Sequence, residues 1–429
     1  MPSNMRAKVR SKLSLIIMLT IMFLSVISMT IVLPILPFIV QNHVHGTRDV
    51  GLWVGVLVTV FAACALFSGP VLGALSDRIG RKPVLVLSLL GSAAGYVLFG
   101  IAGSLGVLVL SRVIDGVTAG DRPVVMAYLA DITPPEKRAA QFGLLGAVGG
   151  LGFMIGPAVG GLLAHFGLAA PVFVAAAITV LTAFISASVL PETVTREKRA
   201  KRLSVETPHP IQTMRDAFGH PDLRPLLIAL TLAAIPFSFF AMNVSVLAKD
   251  AIAWGPTQIG LLVSVIGVLD IVIQGGLVRF LVPRIGEHRV ALGGLVGQAV
   301  GCALLALVGS FLPLPQVFIV GLLLFGAAEG GTSAAVQGLI SRSVPDDEQG
   351  ALAGGLGSIH SATEVIVPLL GGYLYSRLGA GVPYALGVVF LLSAIAFIWP
   401  LLARAHSGSR TKRGAPKGAS KSAGRADRI

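Results

Sequence analysis

Apolar residues in this chain come in long, nearly unbroken runs, not in the short alternations of an amphipathic soluble fold. Twelve runs approach or exceed the roughly 20 residues that a helix needs to cross a bilayer. They fall at about 13–40, 52–74, 83–103, 105–130, 140–164, 169–190, 225–249, 257–282, 289–311, 315–340, 351–376 and 380–403. The turns between them hold glycine, proline and charge, which end a span. The pattern predicts an all-α integral membrane protein with twelve transmembrane helices. One polar interruption is long: 191–224 carries Arg196-Glu-Lys-Arg-Ala-Lys-Arg202 and several prolines. It divides a tail at 1–12 and a six-helix bundle at 13–190 from a second six-helix bundle at 225–403. The basic, Gly- and Ser-rich tail at 404–429 is predicted to be disordered.

The two halves echo one another. Arg78-Ile-Gly80-Arg-Lys-Pro83 returns as Arg284-Ile-Gly286-Glu-His-Arg289. Thr133-Pro-Pro-Glu136 returns as Val344-Pro345-Asp-Asp-Glu348, and Pro157-x-x-Gly160-Gly161 as Pro368-x-x-Gly371-Gly372. The offsets are 206, 212 and 211 residues. A repeat of half the chain in a twelve-span protein predicts two pseudo-symmetric bundles that rock about a central site.

Composition supports a membrane setting and removes other classes. Only 12% of residues are charged, about half the usual share for soluble domains; 54% are hydrophobic, and mean hydropathy is +0.85. The net charge of +13 does not mark a nucleic-acid binder, because the basic residues are spread over short loops and tails. Of the 33 Lys and Arg, 28 fall on one side of the predicted topology, 3 on the other, and Arg112 and Arg122 lie inside helix 4. That asymmetry places both termini and the 191–224 loop in the cytoplasm. The basic run in that loop is also a candidate for anionic headgroups. Cys64 and Cys302 both lie in apolar runs and form no disulfide framework or zinc spacing, so no metal site is expected. The first apolar run is too long for a signal peptide and reads as a retained helix.

The most informative polar stretch is Gly73-Ala-Leu-Ser-Asp77-Arg78-Ile-Gly80-Arg81-Lys82-Pro83. It resembles the loop between helices 2 and 3 of the major facilitator superfamily. The resemblance covers about residues 12 to 403 and is nearest to the twelve-span drug:H+ antiporters that include the tetracycline exporters. Helix 1 ends Leu33-Pro34-Ile-Leu-Pro37 as theirs does. Helix 4 carries Arg112-x-x-Asp115-Gly116, similar to their R-x-x-Q-G, and closes with Ala127-Tyr-Leu-Ala-Asp131-Ile-Thr-Pro-Pro-Glu136. Helix 5 carries Gly152-x-x-x-Gly156-Pro157-x-x-Gly160-Gly161, which matches the antiporter motif. The resemblance implies that Asp77, Arg81 and Asp131, with Gly73, Arg78 and Gly80, form a conformational latch near the start of helix 11. The departures are specific. Aspartates of the tetracycline exporters in helices 1, 3 and 9 fall on Ser25, Gly95 and Gln298; a helix 8 histidine falls on Asp270, while the glutamine there is kept as Gln274. These losses argue against export of a metal-chelated tetracycline.

Ionisable residues inside spans are functional candidates. In a continuous helix 4, Arg112, Asp115 and Arg122 share one face, with Asp121 roughly opposite Arg112. Arg112 and Asp115 are spaced to pair, as a proton switch or as a permanent ion pair. The second half offers Asp270, Glu329, and His360 with Glu364 one turn apart, each at mid-span. Phe237, Phe240 and Asn243 in helix 7 line a cavity or simply pack. Gly152, Gly156 and Gly160 form one smooth face for close helix approach, and Pro157 favours a bend.

The reading that follows is a secondary transporter: proton-coupled antiport, exporting small drug-like compounds, cationic or amphiphilic, by alternating access. The alternative on the same scaffold is a carrier for a defined metabolite, such as a sugar, an amino acid derivative or a siderophore. A membrane sensor or an enzyme is the third class; no catalytic constellation and no nucleotide-binding phosphate loop is seen. No cofactor is expected beyond the proton gradient. The expected partners are a small-molecule substrate, protons and the lipid bilayer, with no nucleic acid, in a monomer of a bacterial inner membrane.

Overall fold

The structure, a computed structural model, describes residues 3–44, 46, 49–194, 210–219, 223–342 and 349–413. It contains no β-strand among these residues. The first half comprises α1 (Ser3–Thr30), α2 (Leu36–Gln41), α3 (Val50–Ile79), α4 (Arg81–Gly100), α5 (Leu105–Val117), α6 (Asp121–Ile132), α7 (Pro135–Leu163) and α8 (Ala170–Val189). A short α9 (Pro210–Gly219) follows in the linker. The second half comprises α10 (Arg224–Ile252), α11 (Pro256–Val272), α12 (Val278–Ile285), α13 (Glu287–Ser310), α14 (Pro315–Arg342), α15 (Gln349–Leu378) and α16 (Val382–Arg413). A π-helical turn, Ile273–Leu277, joins α11 to α12 as one crossing.

Among the described residues, ten helices are long and apolar enough to span a membrane by length and composition. The split pair α5–α6 and the 30-residue α15 occupy the two remaining crossings. Large apolar side chains such as Phe67, Phe166, Phe184 and Trp399 are exposed on the outer surface, where lipid is the natural solvent. Tyr128, Phe99, Phe239, Phe318, Phe325 and Tyr384 fill the bundle interiors.

The sequence pattern and the structure differ at four places. Helix 1 stops at Thr30; a turn at 31–35 leads into α2, because Pro34 and Pro37 interrupt the backbone ladder. Helix 4 is not continuous: it breaks between Val117 and Asp121, with Gly120 as N-cap of the second piece and Pro123 in its first turn. Proline has no N–H to return to Ala119, so the break falls where that bond would be missing. The linker contains α9, whose Met214 and Phe218, one turn apart, pack on the apolar core while α9 lies along α15. The outer tails are helical further than expected, since α1 starts at Ser3 and α16 runs to Arg413. The predicted echo at 344–348 and most of the basic linker lie outside the described residues.

The internal repeat is visible in the backbone. Gly80 ends α3 and opens α4 with φ +116°, and Gly286 plays the same part between α12 and α13 with φ +86°. Gly167 and Gly379, after α7 and α15, form a second pair at φ +116° and +124°. Positive φ is easily adopted only by glycine, so these four residues fix equivalent corners in both halves.

The bundles meet along two seams, α3 against α15 and α7 against α11. The ends near Gly80, Asp131 and Pro191 form the linker face; the ends near Gly51, Gly161, Pro256 and Gly372 form the far face. Tight packing belongs to the far half. A Cβ on Gly55 would stand 2.5 Å from the Pro368 carbonyl oxygen, and one on Gly161 2.6 Å from that of Pro256. Thr59 donates to the Val365 carbonyl at 3.0 Å, the Leu52 N–H to Ser376 at 2.9 Å, and Thr257 to the Gly161 carbonyl at 2.8 Å. Asp49 and Arg377 pair at 3.5 Å on the same face. Towards the linker face the same helices separate: among the described residues, no neighbouring atom outside their own helix backbone lies within 4 Å of where a Cβ would be on Gly69 and Gly73 of α3, Gly143 and Gly146 of α7, or Gly354 and Gly357 of α15. Among the described residues the two seams are closed at the far face and open at the linker face.

Candidate functional site

At the linker face Arg81 is the hub. Its side chain is only 10% exposed and reaches Asp77 at 2.6 Å, Asp131 at 3.2 Å and Ser76 Oγ at 2.6 Å. The Asp131 carboxylate also accepts from Thr193 at 2.9 Å. Gly80 turns the chain from α3 into α4 at φ +116°, Gly73 lies inside α3, and Arg78 lies exposed in the last turn of α3, where a cation suits the helix C-terminus. Glu192 completes the cluster. Its carboxylate accepts from the N–H groups of Arg81 at 2.9 Å and Lys82 at 3.2 Å, the free first turn of α4. It also accepts from the N–H groups of Thr193 and Val194. Tyr128 secures the same segment by donating to the Pro191 carbonyl at 2.8 Å. The sequence reading missed Glu192 and Ser76; the signal was an acid following the proline that ends helix 6.

The helix 4 residues separate. Arg112 and Asp115 pair at 3.3 Å. Both pack against α4, with the guanidinium 4.5 Å from the Phe99 ring centre and 5.7 Å from that of Tyr96. Asp115 also bonds Ser92 and is 3% exposed. A Cβ on Gly95 would stand 3.0 Å from that of Asp115, so helix 4 supplies an acid where helix 3 has none. Arg122 is elsewhere. It is exposed on α6 and lies within electrostatic reach of His360 and Glu364 in the other bundle. The break at Gly120 ends the single face expected for Arg112, Asp115 and Arg122. Asp121 takes the first position of α6.

In the second half, His360 Nε2 and Glu364 Oε1 are 3.1 Å apart and well exposed, at 61% and 58%. Asp270 accepts from Gln274 Nε2 at 2.7 Å, beside the π-helical turn. Glu329 on α14 lies close enough to Asp270 for their charges to interact. Such π-turns are frequent at functional sites. Gln298 is buried and donates to Thr332 at 2.9 Å. Among the residues expected at a cavity wall, Phe237 is exposed, but Phe240 stacks on Phe325 at 4.4 Å and Asn243 is fully buried beside Gly371. Helix 7 packs these two inward because α15 and α14 cover that side. On α7, Gly152 and Gly156 press against α1 and Gly160 against Ile31 in the turn that follows it, while Pro157 and Gly161 face Gly260 and Pro256 of α11 across the seam. No group of three or more His, Cys, Asp or Glu able to hold a metal occurs among the described residues.

The sequence model of the Major Facilitator Superfamily matches residues 18–309 and 226–426. The chain belongs to that superfamily. The tetracycline resistance protein class C of Escherichia coli is 32% identical over 86% of this chain and 91% of its own length. The class H protein of Pasteurella multocida is 32% identical over 91% and 95%. Multidrug resistance protein 2 of Bacillus subtilis is 28% identical over 84% and 88%. Among solved structures, the human organic anion transporter MFSD10 (TETRAN) superposes with a TM-score of 0.65 at 22% identity, covering 90% of this chain and 99% of that one. A bacterial homolog of the human lysosomal transporter Spinster, captured inward-facing and unoccupied, gives 0.67 at 16% identity over 91% and 96%. The protein is a superfamily transporter and not an enzyme, a multi-pass membrane protein of a drug-efflux lineage.

Proposed function

We propose that the protein is a proton-coupled antiporter that exports small organic compounds, with both termini and the linker in the cytoplasm. The orientation rests on the 28-to-3 split of basic residues. In that orientation the open linker face makes this the inward-facing state, ready to load substrate from the cytoplasm. The observation that carries the coupling is the placement of Asp270, Glu329 and Glu364 at mid-span in one bundle. A carboxyl group in a low-dielectric site can lose its charge by taking a proton. Carboxyls exposed to one face and then the other carry protons as the bundles rock. Asp115, held by Arg112 and Ser92 against α4, is better suited to holding the first bundle together. The names of the relatives support drugs as cargo; the changed residues at 25, 95 and 298 support a cargo other than a tetracycline–metal chelate.

The test is substrate-induced proton movement in proteoliposomes with a pH dye inside and a panel of cationic, neutral and anionic drugs. A class of compound that moves protons through the wild type, but through neither Asp270→Asn nor Glu364→Gln, is expected. Proton movement unchanged in both variants would refute the assignment. Silence across the panel with folded protein would point to a narrow metabolite carrier.

A further inference from the structure

The two walls of the space between the bundles carry opposite charge. On the first-bundle side Arg122 is exposed, and it has no ion-pair partner among the described residues. Asp121 precedes it, about 100° round the helix, and Asp115 is committed to Arg112. Arg122 lies within electrostatic range of His360 and Glu364 of the second bundle, as the weakest of the influences on either. It also stands in the first turn of α6, just after the break, where free N–H groups and the helix dipole favour an anion. On the second-bundle side stand the carboxylates of Glu364, Asp270 and Glu329. Glu364 has His360 for company, and among the described residues Asp270 has the amide of Gln274 as its hydrogen-bond partner, with the charge of Glu329 nearby.

We propose that Arg122 is the anion-binding arm of the substrate site and that the preferred substrates are amphoteric. Such a molecule places an acidic group on Arg122 and a basic group against the carboxylates of α11, α14 and α15. A guanidinium recognises a carboxylate or phosphate through paired N–H donors, and such charge-assisted bonds are the strong ones. A purely cationic molecule satisfies one wall and is repelled by the other; a purely anionic one meets the reverse. An amphoteric molecule relieves both walls and bridges the two bundles, so its occupancy would be felt by the equilibrium between the open and closed faces. The inference deepens the export reading above and rests on it.

The test uses three fluorescent probes on one aromatic scaffold: naphthylalanine, naphthylpropionate and naphthylethylamine, amphoteric, anionic and cationic at neutral pH. Their binding to the purified full-length protein is measured by fluorescence titration at low and at moderate salt. Naphthylalanine is expected to bind tightest to the wild type. Arg122→Gln should weaken naphthylalanine and naphthylpropionate roughly tenfold or more, and leave naphthylethylamine unchanged or tighter. Arg122→Lys should recover part of the loss, because charge survives while the paired geometry does not. Equal changes for all three probes would show a structural role and overturn the proposal. So would no change for any probe, equal wild-type affinity for naphthylethylamine and naphthylalanine, or failure of all three to bind folded wild type. Proton movement is read separately in liposomes. Coupling that persists without charge discrimination sinks this inference alone; discrimination without coupling sinks the antiport reading alone.

Discussion

Gly161→Ala is a one-methyl perturbation of the far-face seam. The added Cβ would stand 2.6 Å from the Pro256 carbonyl oxygen and 3.0 Å from Thr257 Cα. Carbon and oxygen normally approach to about 3.3–3.6 Å, so the seam must open by about 0.7 Å. The opposing atoms are backbone, and no side chain can rotate away. Overpacking of this kind costs roughly 1–3 kcal/mol, and misaligning the bond from Thr257 to the Gly161 carbonyl adds about 1 kcal/mol. The cost falls only on the state in which this face is closed. A shift of about 2–4 kcal/mol changes the ratio of closed to open far face by roughly 30- to 1000-fold. The assay is pulsed spin-label distance measurement in lipid nanodiscs, with labels at Gly103 and Leu314 in far-face turns of opposite bundles. Cys64 is replaced to avoid extra label; Cys302 is buried. The variant should move the distance distribution to longer values. Gly146→Ala, on the same helix where nothing lies within 4 Å, should not. A Gly161→Ala distribution that superposes on wild type would refute the claim that backbone contact at this seam holds the far face shut.

Arg81→Ala removes the partner of Asp77, Asp131 and Ser76 together and should lower stability by about 3 kcal/mol; a thermal-unfolding midpoint equal to wild type would contradict the hub role. Glu192→Ala strips acceptors from four N–H groups and should cost about 2 kcal/mol, with Glu192→Gln falling between; equal midpoints for both variants would contradict this. Asn243→Leu should hold or raise stability, by up to about 2 kcal/mol, because both amide atoms of this buried side chain lack partners among the described residues. A marked fall in its unfolding midpoint would show that the amide is satisfied in the membrane.

The spans and the twofold repeat were legible because a bilayer leaves the backbone few options, and because Gly80 and Gly286 mark equivalent corners. The family was legible in the charged turn and in the helix 5 glycines. What escaped has physical causes. The helix 4 break was written in Gly120 and Pro123, but both sit inside an apolar run whose length already suited one crossing. Hydropathy cannot separate a side chain facing lipid from one facing another helix, so Phe237 and Phe240 read alike although one is exposed and the other stacked. For the same reason Asn243 read as a cavity residue, when α15 covers it. Glu192 was hidden because the α4 N–H groups it holds, those of Arg81 and Lys82, are more than a hundred residues away.

The staple at Glu192 alters what the covalent link between the halves can do. It fixes the linker's start to α4, and α9 rests on the second bundle along α15. Only residues 195–209 lie between these anchors, and a chain of that length can extend to about 50 Å. Chain length between the anchors therefore does not itself forbid rocking motions. Its contribution is one of local concentration, keeping each half near its mate while the seams decide how they fit. Two polypeptides divided within 195–209 and made together should therefore find one another and rebuild the transporter.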